Sequence, residues 1–469
     1  MHGDLDASVP IWQRLISLSG LAVMVAIAWA ISYDRKRFPW RIVLWGTGLQ
    51  LVFGVLVLRT TPGLWLFSAT NDGVNRLLGF TEEGSRFVFG DYLDEHFSVA
   101  LNVLPTIIFF SSLMTVLYHL GVMQRIVVGV AWVMQRTLKT SGAETLSTAA
   151  NIFVGQTEAP LVVKPYLGQM TDSELMAVMV GGFATVAGGV LAAYVGMLHE
   201  HFPDIAGHLI AASVMAAPAT LVIAKVILPE TKVAATASSL ELVDERPHAN
   251  VVDAAASGAT DGLKLALNVG AMLIAFLALV ALVNWLVGLP FELYNDHVWR
   301  VAAESLERAS LSTPEGCDAP AGHAAIATCL TAARDAGATG LGDVVTPLSL
   351  ERIAAFVGWP LSFAMGIPPE DCAAASALLG ERVVLNEFVA YVHLAGNLAS
   401  EHPMSPRAAV ITSYALCGFA NIGSIAIQIG GIGALAPERR QDLARLGFRA
   451  MLGGLLASYM TACVAGLLV

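Results

Sequence analysis

Long apolar runs without a charged side chain recur along the whole chain. The clearest of them cover residues 15–32, 42–58, 104–122, 209–224, 265–289 and 451–469. A helix of about 20 apolar residues crosses a hydrocarbon core of about 30 Å. Helices cross lipid because they satisfy their own backbone hydrogen bonds. The pattern therefore predicts an all-α, polytopic membrane protein in the lipid bilayer, with about eight transmembrane helices.

Composition agrees with this prediction. Of the 469 residues, 56% are hydrophobic and 13% are charged, whereas a soluble domain carries about 25% charged residues. Mean hydropathy is +0.66. The 43 glycines suit close helix packing in lipid. The net charge of −11 and the lack of long basic runs argue against nucleic-acid binding.

Basic residues near helix ends predict the orientation. The clusters at 34–41 and 437–449 are both expected to be cytoplasmic. Residues 1–10 are acidic and lack a basic region, so we interpret the first apolar run as a retained helix rather than a cleaved signal peptide.

The pattern also divides the chain into segments. Residues 62–97 are amphipathic and too polar to span, which predicts an interfacial helix with Trp65 at headgroup depth. A third span is expected at about 100–122 and a short amphipathic helix at 130–139, while the polar residues 229–262 resemble a cytoplasmic linker. The predicted segments are N-terminal transmembrane helices (1–61), interfacial, scaffold and amphipathic helices (62–140), a first repeat (141–228), a linker and scaffold helix (229–291), an extracytoplasmic loop (292–349) and a second repeat (350–469).

Two of the five cysteines, Cys317 and Cys329, lie in the 292–349 loop, which the orientation puts outside. A disulfide persists in such a compartment, but sequence alone does not supply the geometry that a disulfide requires. A disulfide and two free thiols are therefore both open at this point.

Polar and helix-breaking residues interrupt the apolar region 141–170. The tripeptide Gln156–Glu158 follows a glycine and precedes Pro160. Each arm is too short to span, which predicts a re-entrant helical hairpin with Pro160 in the first turn of its second arm. Irregular backbone at this depth must be buried in protein or line a cavity, and a carboxylate there marks a functional site by default. The structural alternative is that Glu158 pairs with Lys164 and locks the tip.

The same arrangement occurs a second time. The motif GGFATVAGGV (181–190) aligns on Gly-Phe-Ala with CGFANIGSIA (417–426). Before the second copy, the apolar stretch 371–397 is broken at Asn386 and Glu387. Paired interrupted segments in two halves are typical of transporters with inverted repeats and a site near the midplane. We predict two re-entrant hairpins in inverted repeats, and both matched helices unwound at the aligned motif.

The polar side chains at these interruptions would share one cavity. They are Gln156, Thr157, Glu158, Asn386, Glu387, Asn421 and Ser424. Carboxylates, amides and hydroxyls without an arginine suit a neutral, polyhydroxylated solute, because carboxylates accept hydroxyl hydrogen bonds and amides both donate and accept. Phe419 offers a face for a flat ring, although plain helix packing explains it equally well. The pattern favours a solute with a sugar at one end and a planar base at the other.

A small cation also has candidate ligands. Asn151, the carbonyl near Val154, and Thr185 with the Val186 carbonyl supply neutral oxygens. Neutral oxygens favour a monovalent ion over Ca²⁺ or Mg²⁺, which prefer carboxylates. Sodium is the predicted coupling ion, proton coupling through Glu158 is the alternative, and no organic cofactor is expected.

Four motifs carry a family resemblance. In chain order they are GQTEAPLVVKPYL (155–167), GGFATVAGGVLAAY (181–194), VLNEFVAY (384–391) and CGFANIGSIAIQIGG (417–431). From about residue 34 to the carboxyl terminus, the chain resembles the concentrative nucleoside transporters. The resemblance implies a homotrimer in the cytoplasmic (inner) membrane, in which a transport domain moves against a scaffold and imports nucleosides. The Thr-Glu-Ala-Pro form of the tip is similar to that of the sodium-coupled branch.

The resemblance also implies a role for each candidate residue. The implied roles are nucleobase binding by Gln156, Thr157 and Glu158 with Val190 lining that side, ribose binding by Glu387, Asn421 and Ser424 with Phe419 near the base, and sodium coordination by Asn151, Val154, Thr185 and Val186.

Two other classes of protein are alternatives. An intramembrane hydrolase would use Glu158 and Glu387 as an acid–base pair, but no nucleophile–base constellation or HExxH motif accompanies them. A channel would need neither a coupling-ion site nor paired hairpins.

Overall fold

The computed structural model describes residues 10–90, 100–101, 104–236, 248–308, 313, 316–317, 320, 322–335 and 343–469. Within these residues the secondary structure is helical throughout, without a β-strand. The α-helices are α1 (Ile11–Ala30), α2 (Trp40–Arg59), α3 (Thr61–Phe89), α4 (Leu104–His119), α5 (Val122–Leu138), α6 (Gly142–Ala150), α7 (Lys164–Leu167), α8 (Asp172–Ala184), α9 (Gly188–Leu198), α10 (Ile205–Ile227), α11 (Val251–Arg308), α12 (Gly322–Asp335), α13 (Leu350–Ala364), α14 (Cys372–Val384), α15 (Glu387–Leu398), α16 (Pro406–Leu416), α17 (Ile422–Leu435) and α18 (Arg440–Leu468). Two short 3₁₀ helices cover Ala159–Val163 and Pro437–Arg439.

Six segments of the described chain are long and apolar enough to cross a membrane. They are α1, α2, α8 with α9, α10, Leu277–Arg308 within α11, and Pro437–Leu468. The pair α4 and α5, bent by 77°, makes a seventh. The described residues thus hold six or seven candidate spans, where about eight were predicted. The predicted all-α polytopic fold is confirmed.

The core lies where α8, α10, α16 and α18 pack together. Nearly every side chain of α8 and α10 is buried, whereas α1 and α2 leave leucines and tryptophans exposed. Small residues bring these helices close together: a Cβ on Gly454 of α18 would lie 2.3 Å from the Cβ of Phe183 on α8. Only glycine fits such a contact, as expected for helices that pack in lipid.

Two hairpins flank this core. Hairpin 1 (142–167) consists of α6, the first 3₁₀ helix and α7, and hairpin 2 (372–398) consists of α14 and α15. Their α-helical arms α6, α14 and α15 have 9, 13 and 12 residues, fewer than the roughly 20 that cross a bilayer. Pro160 is the second residue of the 3₁₀ helix of hairpin 1, within the first turn as predicted.

The amphipathic segments differ from the predictions in length. The segment expected to lie at the interface forms α3, a helix of 29 residues with Trp65 72% exposed. The amphipathic helix expected at 130–139 begins earlier, at Val122.

The expectation of a linker to residue 262 and of a loop from residue 292 was wrong in its boundaries. Helix α11 begins at Val251 and ends at Arg308, with 58 residues. Alanine, glutamate and arginine are strong helix formers, so polar sequence on either side of an apolar run continues the helix. A polar composition was therefore a poor signal for where this helix ends.

The chain divides into two compact units, Met1–Leu273 with Ala355–Val469, and Ile274–Ala354. In the second unit a disulfide joins Cys317 to Cys329, which decides the question that the sequence left open. Around it lies a small apolar cluster that includes Val298, Trp299, Leu306, Ile326 and Leu330.

Candidate functional site

Hairpin 1 ends in a polar tip. Gln156 is 7% exposed, and Glu158 is exposed and accepts a hydrogen bond from the Thr157 hydroxyl at 2.9 Å. Among the described residues, Glu158 forms no ion pair with Lys164. The structural alternative of a locked tip is therefore wrong.

A buried glutamine fixes the orientation of Gln156. Gln428, which is 0% exposed on α17, donates through Nε2 to Gln156 Oε1 at 3.1 Å and to the Met179 carbonyl at 3.1 Å. Gln428 stands in the fourth quoted motif but was not among the site residues predicted from the sequence.

Hairpin 2 breaks where the sequence predicted. Asn386 caps α15, since its Oδ1 accepts from the Val389 N–H at 3.0 Å. This contact gives Asn386 a structural role at the start of the helix. Glu387, the first residue of α15, is 5% exposed.

Two side chains from the broken helices hold the Glu387 carboxylate. The Tyr194 hydroxyl donates to Oε1 at 3.1 Å, and Asn421 Nδ2 donates to Oε2 at 3.0 Å. Tyr194 stacks on Tyr391 with ring centroids 4.2 Å apart. Tyr194 ends the second quoted motif, but nothing in the sequence indicated that it contacts a residue 193 positions away.

Both matched helices are unwound at the predicted motif. α8 ends at Ala184 and α9 begins at Gly188, with Thr185 extended between them. α16 ends at Leu416 and α17 begins at Ile422. Asn421 caps α17, because its Oδ1 accepts from the Ser424 N–H at 2.8 Å.

A cavity of about 510 Å³ lies where the hairpin tips meet the two breaks. Small-molecule sites have volumes of roughly 300–1,000 Å³. The cavity brings together all eight residues that the sequence nominated for substrate binding: Gln156, Thr157, Glu158, Val190, Glu387, Phe419, Asn421 and Ser424. Their individual roles stay predictions.

The amino-terminal part of α11 forms a further wall that the sequence analysis missed. Asp261, Lys264 and Asn268 line the cavity there, and Lys264 Nζ lies 3.3 Å from Asp261 Oδ1. Their spacing puts them on one helix face. That signal was present in the sequence, but the segment up to 262 was interpreted as a linker.

The residues nominated for sodium surround the contact between hairpin 1 and the first break. The Gly188 N–H donates to the Phe153 carbonyl at 3.2 Å. Thr185 is 2% exposed and donates to the Gly181 carbonyl at 2.9 Å, and Val186 is fully buried. Val154, at the end of the hairpin 1 turn, is half-buried.

Asn151 carries the strongest sign of an ion site in this region. The side chain is 0% exposed, and its Nδ2 donates to the Ser147 carbonyl at 3.1 Å. Its Oδ1 has no hydrogen-bond partner within the described part of the chain. A buried acceptor without a partner is costly, and a cation would satisfy it. The neutral donor set therefore fits a monovalent ion.

A buried ion pair anchors the base of hairpin 1. Lys225 of α10 and Glu144 of α6, each 2% exposed, approach to 2.6 Å. Lys225 also donates to the Ser173 hydroxyl at 2.9 Å, and Ser141 donates to Glu174 at 2.6 Å. These contacts tie hairpin 1 to α8 and α10, so the tip is positioned by groups at its other end.

Two polar hairpins and two broken helices that close on one cavity define a secondary transporter built from repeats. Residues 19–92 match the family described as Na⁺ dependent nucleoside transporter N-terminus, and residues 208–312 and 323–466 match its C-terminus. Residues 100–200 match the nucleoside recognition gate. The chain belongs to the Na⁺-dependent nucleoside transporter family, which confirms the predicted resemblance.

Relatives and solved structures agree. The chain is 40% identical over 474 residues to sodium/nucleoside cotransporter 1 of Mus musculus and 38% identical over 492 residues to solute carrier family 28 member 3 of Eptatretus stoutii. The alignments cover 97% and 100% of this chain but 64% of each relative, so the chain spans less than two thirds of their length. The structure of CNTnw in an inward-facing substrate-bound state has a TM-score of 0.81 and 39% identity, with 98% of each chain covered. A CNTnw variant in an outward-facing state has a TM-score of 0.78 and 39% identity, with 97% of each chain covered.

Proposed function

We propose that the chain is a sodium-coupled symporter that imports nucleosides across the cytoplasmic membrane by alternating access. The observation that carries this proposal is the cavity in which polar residues from both repeats meet. The sodium/nucleoside cotransporters among the relatives support the substrate class and the ion. The CNTnw structures in inward-facing and outward-facing states support the alternating access.

The sugar is bound on the hairpin 2 side of the cavity. A carboxylate has about four lone-pair sites, and Tyr194 and Asn421 each occupy one site of Glu387. The remaining lone pairs of the carboxylate accept hydrogen bonds from the ribose hydroxyls, which donate to water when the nucleoside is free in solution. Ser424 adds a hydroxyl beside Asn421.

The nucleobase is bound on the hairpin 1 side. Gln156, Thr157 and Glu158 present amide, hydroxyl and carboxylate groups to its polar edge, with Val190 beside them. Phe419, half-buried at the second break, packs near the base.

Sodium completes the base side. Asn151 Oδ1, the Thr185 hydroxyl and the carbonyls of Val154 and Val186 coordinate the ion, which joins the hairpin 1 tip to the first break. Linkage then requires that nucleoside raise the sodium affinity by the factor by which sodium raises the nucleoside affinity.

The chain acts as a homotrimer in the inner membrane. Segments 141–228 and 350–469 form the moving transport domain, and segments 1–140 and 229–291 supply the scaffold. The part of segment 292–349 that follows α11 lies outside as an insertion. The family resemblance supports this division.

Uptake of radiolabelled uridine into proteoliposomes tests the proposal. An inward sodium gradient is compared with a choline control at fixed pH, and protein-free liposomes give the background. Accumulation above equilibrium that requires sodium is the expected result. Accumulation driven by a pH gradient and indifferent to sodium would favour the proton-coupled alternative through Glu158. Equilibration without accumulation under either gradient would favour a channel.

A further inference from the structure

Arg382 is one of the largest side chains that the fold buries completely among the described residues. It lies on α14 in hairpin 2 and is 0% exposed. A buried charge is costly unless it is paired. Within the described residues, however, no carboxylate lies within ion-pair distance of this guanidinium. Glu387 therefore acts on this charge only from beyond ion-pair distance, and the groups in direct contact with the guanidinium are neutral.

The hydrogen-bond partners of Arg382 are two neutral oxygens, one at the carboxyl end of α16 and one on α18. Nη1 donates to the Ala415 carbonyl, and Nη2 donates to the Ser458 hydroxyl at 3.1 Å. Ser458 in turn donates to the Cys417 carbonyl at 2.9 Å. A Cβ on Gly418, whose φ is +143°, would lie only 2.9 Å from Nη2.

The position of this cation has a physical reason. The last four carbonyls of a helix lack partners, and the helix dipole puts about half a negative charge at that end. The carboxyl end of α16 is buried at the second break, out of reach of water. The Arg382 guanidinium thus stabilises the backbone where α16 ends and the unwound segment leads to Asn421.

Among the described residues, no lysine or arginine donates a hydrogen bond at the first break, between Ala184 and Gly188. There Asn151 of hairpin 1 lies against α8, since a Cβ on Gly181 would lie 3.0 Å from Asn151 Nδ2. Gly181 precedes Gly182, the residue that aligns with Gly418. Within the described residues, one break therefore has a buried oxygen without a partner, and the other has a guanidinium that donates to two oxygens and whose Nε has no partner.

We propose that Arg382 is a built-in cation of the second repeat, which takes the place that sodium takes in the first. The inference rests on the proposed function and deepens it. One sodium ion, rather than two, is then coupled to each nucleoside. The sugar side of the cavity is held in shape without a mobile ion, while the base side is formed only when sodium binds. Arg382 is a positioning residue, because it acts through the unwound segment and not on the substrate.

Equilibrium binding of uridine to the purified full chain, measured across a range of sodium concentrations, tests this inference. The wild-type chain is expected to show a Hill coefficient for sodium of about 1. Arg382→Ala leaves the Ala415 carbonyl and the Ser458 hydroxyl oxygen without their donor, and these are neutral oxygens that suit a monovalent ion. For this variant the Hill coefficient is expected to rise towards about 2, with more sodium needed for half-saturation.

Arg382→Met and Arg382→Lys separate charge from volume. Methionine fills the space without supplying a cation. Uridine affinity at saturating sodium should fall about tenfold or more, because a buried carbonyl loses its donor. The Hill coefficient for sodium should stay at about 1, since methionine leaves no room for a second ion. Lysine keeps the cation and should restore most of the affinity. Both variants remain informative if Arg382→Ala does not fold.

Arg407→Met is the matched control. Arg407 is also buried on α16, but it donates to the Gly466 and Val469 carbonyls at the end of α18, at 2.6 and 2.7 Å. Its substitution should lower the thermal midpoint and leave both the uridine affinity and the Hill coefficient of the folded protein unchanged.

The outcomes distinguish the two proposals. A wild-type chain that binds no uridine in a sodium-dependent way refutes the proposed function. Two other results would overturn the inference about Arg382 and leave the proposed function standing. The first is sodium-dependent uridine binding by the wild-type chain with a Hill coefficient near 2. The second is Arg382 variants that behave like Arg407→Met.

Discussion

Glu387→Gln is the sharpest test of how the sugar side works. The carboxylate is buried and already accepts hydrogen bonds from Tyr194 and Asn421 at 3.1 and 3.0 Å. Glutamine keeps the shape and both contacts: Asn421 donates to the new carbonyl oxygen, and the Tyr194 hydroxyl turns to accept from the new amide. The variant should therefore fold, while the charge and part of the capacity to accept hydrogen bonds are lost.

The expected loss of affinity follows from the kind of hydrogen bond that is removed. A hydrogen bond to a charged group contributes about 1.5–3 kcal/mol, which corresponds to about a 10- to 150-fold weaker uridine affinity. Titration calorimetry at saturating sodium measures it directly. Glu381→Gln on the same hairpin is the control, since Glu381 contacts His393 at 2.8 Å and lies outside the cavity lining.

A double-mutant cycle with the ligand decides whether the contact is to the sugar. In the wild-type chain, 2′,3′-dideoxyuridine should bind more weakly than uridine, and Glu387→Gln should weaken it little further. The coupling between the side chain and the hydroxyls is the non-additive part of these changes. An equal loss of affinity for both ligands would show that Glu387 does not bind the ribose hydroxyls, and would refute the reasoning.

Three further substitutions test other parts of the site. Thr185→Ala removes one neutral oxygen ligand and should raise the sodium concentration for half-maximal uptake about three- to tenfold, whereas an unchanged sodium response would exclude Thr185 as a ligand. Gln428→Leu releases Gln156 from its fixed orientation and should reduce discrimination between uridine and adenosine in competition assays, with the sodium response unchanged; equal discrimination in variant and wild type would contradict this. Lys225→Met leaves Glu144 buried without its partner and should destabilise the fold by about 3–5 kcal/mol, measured as a lower thermal midpoint, and the double variant with Glu144→Gln should recover part of that loss.

The sequence predicted the hairpins and the unwound segments because their signals are local. An apolar run interrupted by glycine, proline and neighbouring polar residues has few solutions in lipid, where irregular backbone must face protein or a cavity. Pro160 and the Gly-Phe-Ala repeat supplied these signals within windows of about ten residues. For the same reason, the nominated cavity residues were identified before their distances were known.

The hydrogen bonds that hold the cavity side chains in place had no such local signal in the sequence. Tyr194 and Glu387 are separated by 193 positions, and Gln428 and Gln156 by 272. Such partners are set by how the helices pack, and one sequence does not contain that information. The wall of α11 was missed for another reason, because polar residues at Asp261 and Lys264 resembled a linker although their spacing was helical.

The hydrogen bonds behind the cavity determine what the base side presents to a ligand. The two amide hydrogens of Gln428 Nε2 are directed at Gln156 Oε1 and at the Met179 carbonyl, so the orientation of Gln156 follows from the network. With its oxygen occupied by Gln428, Gln156 offers its Nε2 donors to the ligand. Thr157 donates its only hydroxyl hydrogen to Glu158, so its oxygen remains an acceptor.

A base that carries an acceptor beside a donor on one edge satisfies both the Gln156 amide and the Thr157 oxygen. A base that lacks the acceptor leaves the buried Gln156 amide unpaired, which costs about 1–3 kcal/mol. We therefore expect selection among bases to depend on this edge rather than on ring size.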